Sequence, residues 1–225
     1  MVEPGPVDRY AGQADWYDAR LDETPDRDEV LRRYLPAGRG PCLDVGCGTG
    51  RDLVVLAEKG WDPVGVELSS DQVRRARRWG LPLVQGDAEC LPFHGAAFDL
   101  VVSRWTSTDV EHFDVALAEV ARVLRPAGRF LFHGVHPCFN GPHVENHPGG
   151  EVTVHPTYRR AERHTSAPWW APGGIRTRVG GMRHVPLAEF VGAFVAAGLA
   201  ITAVHEPGTE PVPQSIVVEA VRAVG

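Results

Sequence analysis

The chain has 225 residues, 43% of them hydrophobic and 23% charged, with a net charge of −6. That length and apolar content suit a folded domain with a real core and exclude a disordered chain. The acidic balance argues against a surface that coats nucleic acid, and no run reaches the roughly 18 apolar residues of a membrane helix. MVEPGPVDRY has no basic stretch before an apolar run, so no signal peptide is read and a cytoplasmic location is expected. Cys42, Cys47, Cys90 and Cys138 lack paired spacing, which indicates neither a disulfide framework nor zinc. Only Lys59 among the 23 basic residues is lysine, a bias we read as codon composition.

In chain order, residues 1–40 read as helical, carry acidic residues, and bring Tyr10, Trp16, Tyr17 and Tyr34. Cys42 to Val45 is an apolar strand that runs into Gly46-Cys47-Gly48-Thr49-Gly50. The helix that follows presents Leu53, Val54, Leu56 and Ala57, and Gly60 stops it. Pro63 to Glu67 is a second strand. Ser69 or Ser70 caps the next helix, whose Arg74, Arg75, Arg77 and Arg78 read as a solvated face. Leu83 to Gln85 and Asp99 to Ser103 are the third and fourth strands. The apolar period then predicts a helix over Asp114 to Leu124 ended by Pro126 and Gly128, and a fifth strand from Phe130 to Val135. Pro186 opens a last helix to Ala197. Strands at Ala200 to Val204 and Ser215 to Val221 close the chain as an antiparallel hairpin. Strand and helix alternate throughout, which is the pattern of an α/β fold: a Rossmann-like seven-stranded sheet, mostly parallel with an antiparallel last strand, and helices on both faces.

Residues 136–185 interrupt that alternation. They hold six of the ten histidines, Trp169, Trp170 and Tyr158, and six arginines against Glu145, Glu151 and Glu162. Such an insertion in a compact domain is expected to be functional. His143 and His147 have a metal-ligand spacing only on a helix, and Pro142, Pro148, Gly149 and Gly150 deny them one, so no metal site is predicted.

The strongest chemical signal is Leu43-Asp44-Val45-Gly46-Cys47-Gly48-Thr49-Gly50. Glycines between a strand end and a helix start let backbone approach a ligand, and the amides there favour an anionic group. A dinucleotide fingerprint would place glycine at position 51, where this chain has arginine, and Asp44 would repel a pyrophosphate. A ligand with a positive centre and a carboxylate, such as S-adenosylmethionine, fits that polarity. Glu67, at the second strand's end, has two oxygens for the two hydroxyls of a ribose, and Asp87 follows the third strand with an acceptor for an exocyclic amine.

On LDVGCGTG (43–50), VGVELS (64–69), GDAECLPF (86–93), FDLVVS (98–103) and EVARVLRPAGRFL (119–131), the sequence resembles the class I S-adenosylmethionine-dependent methyltransferases, and most the small-molecule branch with the ubiquinone/menaquinone-biosynthesis enzymes. The resemblance implies that Asp44, Gly46 and Gly48 hold the methionine end and Glu67 the ribose; Cys47, within the same cofactor-binding turn, reads as a small packing residue. Leu68 would pack on the adenine, Asp87 and the Ala88 amide would take its nitrogens, and Ser103 would line the methionine side. It also implies a helix bearing Tyr17-Asp18 over the cofactor, with Tyr10 or Trp16 sharing the cover, and an acceptor-side segment at Arg104-Trp105-Thr106. The expected reaction is in-line methyl transfer to a small-molecule acceptor that is aromatic, phenolic or carboxylate-bearing. His136, then His133, is the candidate general base. One domain over 1–225 is expected, with 1–40 as a cap and 136–185 as an acceptor lid; a homodimerisation arm is the other reading of that insertion. An RNA- or protein-modifying methyltransferase and a non-catalytic S-adenosylmethionine-binding protein are the alternative functions.

Overall fold

The computed structural model describes residues 7–23 and 28–224; part of the expected 1–40 cap lies outside them. Two short helices, α1 (Ala14–Asp22) and α2 (Glu29–Tyr34), precede β1 (Gly40–Val45). Then follow α3 (Arg51–Glu58), β2 (Trp61–Glu67), α4 (Ser70–Ala76), β3 (Leu83–Gln85), β4 (Phe98–Arg104), α5 (Phe113–Val123) and β5 (Leu124–Val135). After the insertion come α6 (Leu187–Ala196), β6 (Leu199–His205) and β7 (Ser215–Arg222). Pro186 is the N-cap of α6, and Ser69 caps α4 by accepting the Gln72 N–H at 3.4 Å.

The sheet order is β6-β7-β5-β4-β1-β2-β3. β1 to β5 pair in parallel, and β7 runs antiparallel between β5 and β6, as the closing hairpin predicts. The chain builds outward from β1 to β3 and then returns to β4, so the order reverses between β1 and β4. A crevice forms at that reversal, at the carboxyl ends of the strands.

Strand alternation divides the core between the two faces of the sheet. Leu43, Val101, Phe130, Phe132 and Val218 meet Phe113, Leu117, Phe190 and Phe194 on one side. Their neighbours Cys42, Leu100, Val102, Leu131 and Val217 meet Leu53, Leu56 and Leu31 on the other. Buried on both faces, these strands read as nearly continuous apolar runs.

One element differs from its sequence reading. β5 starts at Leu124 rather than Phe130: Phe98 pairs with Leu124, and a register irregularity lies between Phe98 and Leu100. The helix has already ended at Val123, ahead of Pro126, and the chain turns sharply at Ala127 (φ 60°) when it is already in the sheet.

The insertion forms two small antiparallel ribbons, Val144–Asn146 with Val152–Val154 and Arg163–His164 with Met182–Arg183. Among the described residues no helix is long and apolar enough to cross a membrane.

Candidate functional site

A cavity of about 500 Å³ opens at the carboxyl edge of β1 to β4. Its wall takes Gly46 and Gly48 from the turn after β1, Glu67 and Leu68 from the end of β2, and Asp87 and Ala88 after β3. Trp105, Thr106, Asp109 and Glu111 follow β4, and Tyr10 and Tyr17 arrive from the N-terminal segment. Seven of the residues expected to bind the cofactor are thus brought together: Gly46, Gly48, Glu67, Leu68, Asp87, Ala88 and Tyr17.

The turn can follow this path because Gly46 (φ 73°), Gly48 (φ 54°) and Gly50 (φ 77°) take left-handed conformations. A Cβ at Gly46 would also stand 2.1 Å from Thr106 Cγ2, so β4's continuation packs directly on the turn. Several amides of the turn itself are engaged. Gly46 and Cys47 N–H both donate to the Val66 carbonyl at 2.9 and 3.0 Å, and Gly50 N–H donates to the Cys47 carbonyl at 2.9 Å. What the turn offers a ligand is therefore close backbone and the carboxylate it grips.

That carboxylate is Glu67. Its Oε2 accepts from Gly48 N–H at 3.0 Å and its Oε1 from Ser69 N–H at 2.9 Å. Burial pushes its pKa up to about 7 against those two hydrogen bonds, with the Asp109 and Asp8 carboxylates adding to the rise. A carboxylate has about four lone-pair sites, so each Glu67 oxygen retains one for a hydroxyl of a ribose. Asp87 Oδ1 accepts from Glu89 N–H at 2.9 Å, an Asx turn that holds the side chain on the wall. This donor and acceptor set fits S-adenosylmethionine.

Asp44, Cys47 and Ser103 do not line the cavity. The Asp44 side chain is buried beneath the turn. Cys47 Sγ faces Gly65, where a Cβ would stand 2.6 Å away, and burial first, then Asp44, raises its thiol pKa. Ser103 Oγ donates to the Val45 carbonyl at 3.2 Å and bonds to Thr106 Oγ1, tying β4 to β1.

α1 is fastened over this end by Asp18, which is 1% exposed. Thr49 Oγ1 and Arg51 Nε donate to its Oδ1 at 2.9 and 2.8 Å, and Arg75 Nε and Arg78 Nη1 to its Oδ2 at 3.1 and 2.5 Å. Burial opposes ionisation, yet the bonds from Arg78, Arg51, Thr49 and Arg75 hold the carboxyl far below its usual range. Arg75 and Arg78 are thus turned to Asp18 rather than left to solvent, as their helical spacing suggested; Arg74, on Asp71, and Arg77 keep to the surface.

Neither candidate base reaches the cavity wall. His136 Nδ1 accepts from Cys138 N–H at 3.1 Å, and its Nε2 lies 2.9 Å from Glu206 Oε1. His133 sits behind Trp105, ring centroids 4.6 Å apart, and takes Arg104 Nε on Nδ1 at 3.3 Å. Burial first, then the Arg104 charge, lowers its pKa to about 3. Arg104, which also lines the cavity, is held by Asp52 at 2.8 Å, so its guanidinium ties His133 and Asp52 together beneath the Trp105 turn.

Nor does 136–185 line the cavity. It backs the wall: Arg163 reaches Glu111 at 2.9 Å and the Asp109 carbonyl at 2.9 Å, Arg176 reaches Thr108 Oγ1 at 3.0 Å, and Arg178 lies 4.4 Å over the Trp16 ring. Its local positive charge is spent on Glu111 and this turn. Inside the insertion, the His143 and His184 rings pack at 4.2 Å.

Sequence reasoning missed Asp109, Glu111 and Glu89. Glu89 Oε1 accepts from the Glu111 and His112 amides at 2.7 and 2.9 Å and so shapes the turn into α5. The signal available was position, since these residues directly follow strand ends at the crevice.

Residues 43–132 match the family described as "Methyltransferase domain". The fatty-acid O-methyltransferase of Mycolicibacterium smegmatis is 43% identical over 110 residues, 46% of this chain and 40% of that protein. The malonyl-[acyl-carrier protein] O-methyltransferase of Herminiimonas arsenicoxydans is 40% identical over 107 residues, 45% of this chain and 40% of that protein. The chain thus spans about two fifths of the length of these curated relatives. An S-adenosylmethionine-dependent methyltransferase from Mesorhizobium loti superposes with a TM-score of 0.74 at 25% identity, over 90% of this chain and 100% of that one. By these matches the chain is similar to S-adenosylmethionine-dependent methyltransferases, over residues 43–132 in sequence and over 90% of its length in fold.

Proposed function

We propose that the chain transfers the methyl group of S-adenosylmethionine to a small-molecule acceptor with an aromatic or phenolic frame. One observation carries this reading: the Gly46–Gly48 turn, Glu67 and Asp87 share a cavity wall with Tyr10, Tyr17 and Trp105. When bound, S-adenosylmethionine supplies a methyl that is already electrophilic on its sulfonium. Glu67 and Asp87 then hold the adenosine, Leu68 and Ala88 flank its base, and the buried Asp44 adds a negative charge beneath the turn. Tyr10 and Tyr17, ring centroids 5.1 Å apart, cover the site from water. The protein's main task is alignment, and well-aligned reactants are worth an effective molarity of about 10⁵ M or more.

This reading gives His133 and His136 a structural role at the end of β5, with their ring nitrogens turned to Arg104, Cys138 and Glu206. It makes 136–185 the support of the acceptor-side turn.

Titration calorimetry with S-adenosylhomocysteine tests the proposal. Saturable binding that weakens at least tenfold in Glu67→Ala is expected. No heat from that compound, or uptake of a nicotinamide nucleotide in its place, overturns it.

A further inference from the structure

Besides Glu67 and Asp87, the cavity wall carries a second polar pair, contributed by the N-terminal segment and the turn after β4. The Tyr10 hydroxyl donates to Asp109 Oδ2 at 3.0 Å, and both residues line the cavity. Asp109 Oδ1 is buried and, among the described residues, has no hydrogen-bond partner. Tyr10's only hydrogen is committed to Asp109, so its oxygen can only accept from anything that enters.

The surrounding charge points the same way. The wall holds the carboxylates of Asp8, Glu67, Asp87, Glu89, Asp109 and Glu111 against the guanidiniums of Arg9 and Arg104. Arg9 pairs with Glu111, and Arg104 reaches Asp52 and His133. A ligand carboxylate entering here meets like charge and must compete for cations already engaged.

From this geometry we infer that the Tyr10–Asp109 pair selects acceptors whose nucleophile carries a hydrogen, a hydroxyl or an amine on an aromatic frame, and receives that hydrogen during transfer. The inference rests on the methyl-transfer reading above and narrows its acceptor. Tyr10 touches the acceptor, and Asp109 is a positioning residue that acts through it. As the acceptor's oxygen or nitrogen bonds to the methyl carbon, the electron pair of the broken carbon–sulfur bond stays on sulfur. The acceptor's proton passes to the Tyr10 oxygen, and the Tyr10 proton passes to Asp109 Oδ2. Burial raises the pKa of Asp109, against Arg176, Tyr10, Arg163 and Arg9, which favours it as the final holder of that proton. The O-methyltransferase relatives named for carboxylate substrates match less than half of this chain and do not decide its acceptor.

The test uses full-length protein saturated with S-adenosylhomocysteine and three probes on one ring: 2-naphthol, 2-naphthylamine and 2-naphthoate. Their affinities are measured by ligand-observed NMR on wild type, Tyr10→Phe and Asp109→Asn, each first checked for a cooperative melt. The naphthol or the naphthylamine is expected to bind at least tenfold more tightly than the naphthoate, and that ratio to fall below threefold in Tyr10→Phe and to shrink in Asp109→Asn. Because the ratio compares probes on one protein, a general loss of packing does not move it. A naphthoate that binds as tightly as its partners, a ratio unchanged in both variants, or no binding of any probe overturns the inference and leaves methyl transfer standing. Failure of S-adenosylhomocysteine to bind removes both.

Discussion

Arg78 Nη1 lies 2.5 Å from Asp18 Oδ2, joining α1 to the chain just past α4. Thr49, Arg51 and Arg75 complete the same carboxylate, so one buried anion fixes the cap to the glycine turn and to α4. Asp18→Asn removes the charge that three guanidiniums share. A hydrogen bond to a charged group is worth roughly 1.5–3 kcal/mol, so a loss of about 2 kcal/mol is expected. In a chain of this length it reads as a melting temperature lower by about 4–8 °C, with a weaker affinity for S-adenosylhomocysteine alongside. Unchanged melting by calorimetry counts against the latch.

Glu67 makes that affinity depend on pH. Its pKa near 7 means the ionised form, the one that accepts two hydroxyls, is the minority below pH 7 and the majority above it. Binding of S-adenosylhomocysteine tightens by up to about tenfold between pH 6 and pH 8 and then levels off. The sign is opposite for the free protein. A carboxyl whose folded pKa is raised stabilises the fold most below its ordinary value near 4.5, and that contribution fades as pH climbs to 7. Glu67→Gln flattens both curves; calorimetry at four pH values checks the first, and thermal melts the second.

The two turn glycines separate by steric surroundings. Gly46→Ala drives a Cβ to within 2.1 Å of Thr106 Cγ2 at φ 73°, whereas Gly48→Ala meets nothing nearer than Gln72 Oε1 at 3.6 Å. Gly46→Ala is expected to lose S-adenosylhomocysteine binding by a hundredfold or more. Gly48→Ala, strained only in its backbone by about 1–2 kcal/mol, loses roughly five- to thirtyfold. Equal losses in the two variants would refute the distinction.

Acid destabilises the insertion. Burial first, then His143, brings the His184 pKa down to about 4, and burial lowers that of His143 as well. Both must stay neutral in the fold, so the unfolded chain takes up protons first as pH falls below about 6.5. At pH 5 His184 then costs about 2 kcal/mol relative to neutral pH, and His143 adds to the loss in the same direction. His184→Gln, whose amide can still donate to the Tyr158 carbonyl, is expected to show a smaller drop in melting temperature between pH 7.5 and pH 5 than wild type.

The cofactor half was legible because its signals are local. The turn 46–50, Glu67 at the end of β2 and Asp87 after β3 are each set by residues a few positions apart, and strand alternation orders them. The latch was not legible, since Asp18 meets Arg75 and Arg78 at separations of 57 and 60 residues and helical spacing alone makes those arginines look solvated. The histidines of β5 misled for a related reason. Position at a strand end brings a residue near the crevice but does not say which way its ring turns. Arg104 and Glu206 decide that, and neither pairing can be read from the sequence around His133 or His136. Tyr10 was singled out as cover, but its partner Asp109 is 99 residues away.

Arg163, on a ribbon of the insertion, and Arg176, on its short helix Ile175–Arg178, grip the Thr108–Glu111 turn from outside, while the insertion stays clear of the chamber. Exchanges in that insertion can therefore tilt the rim that greets an incoming molecule, yet leave the glycine turn and Glu67 untouched. Such a division lets descendants of one scaffold diverge in what they modify without renegotiating how they hold the donor.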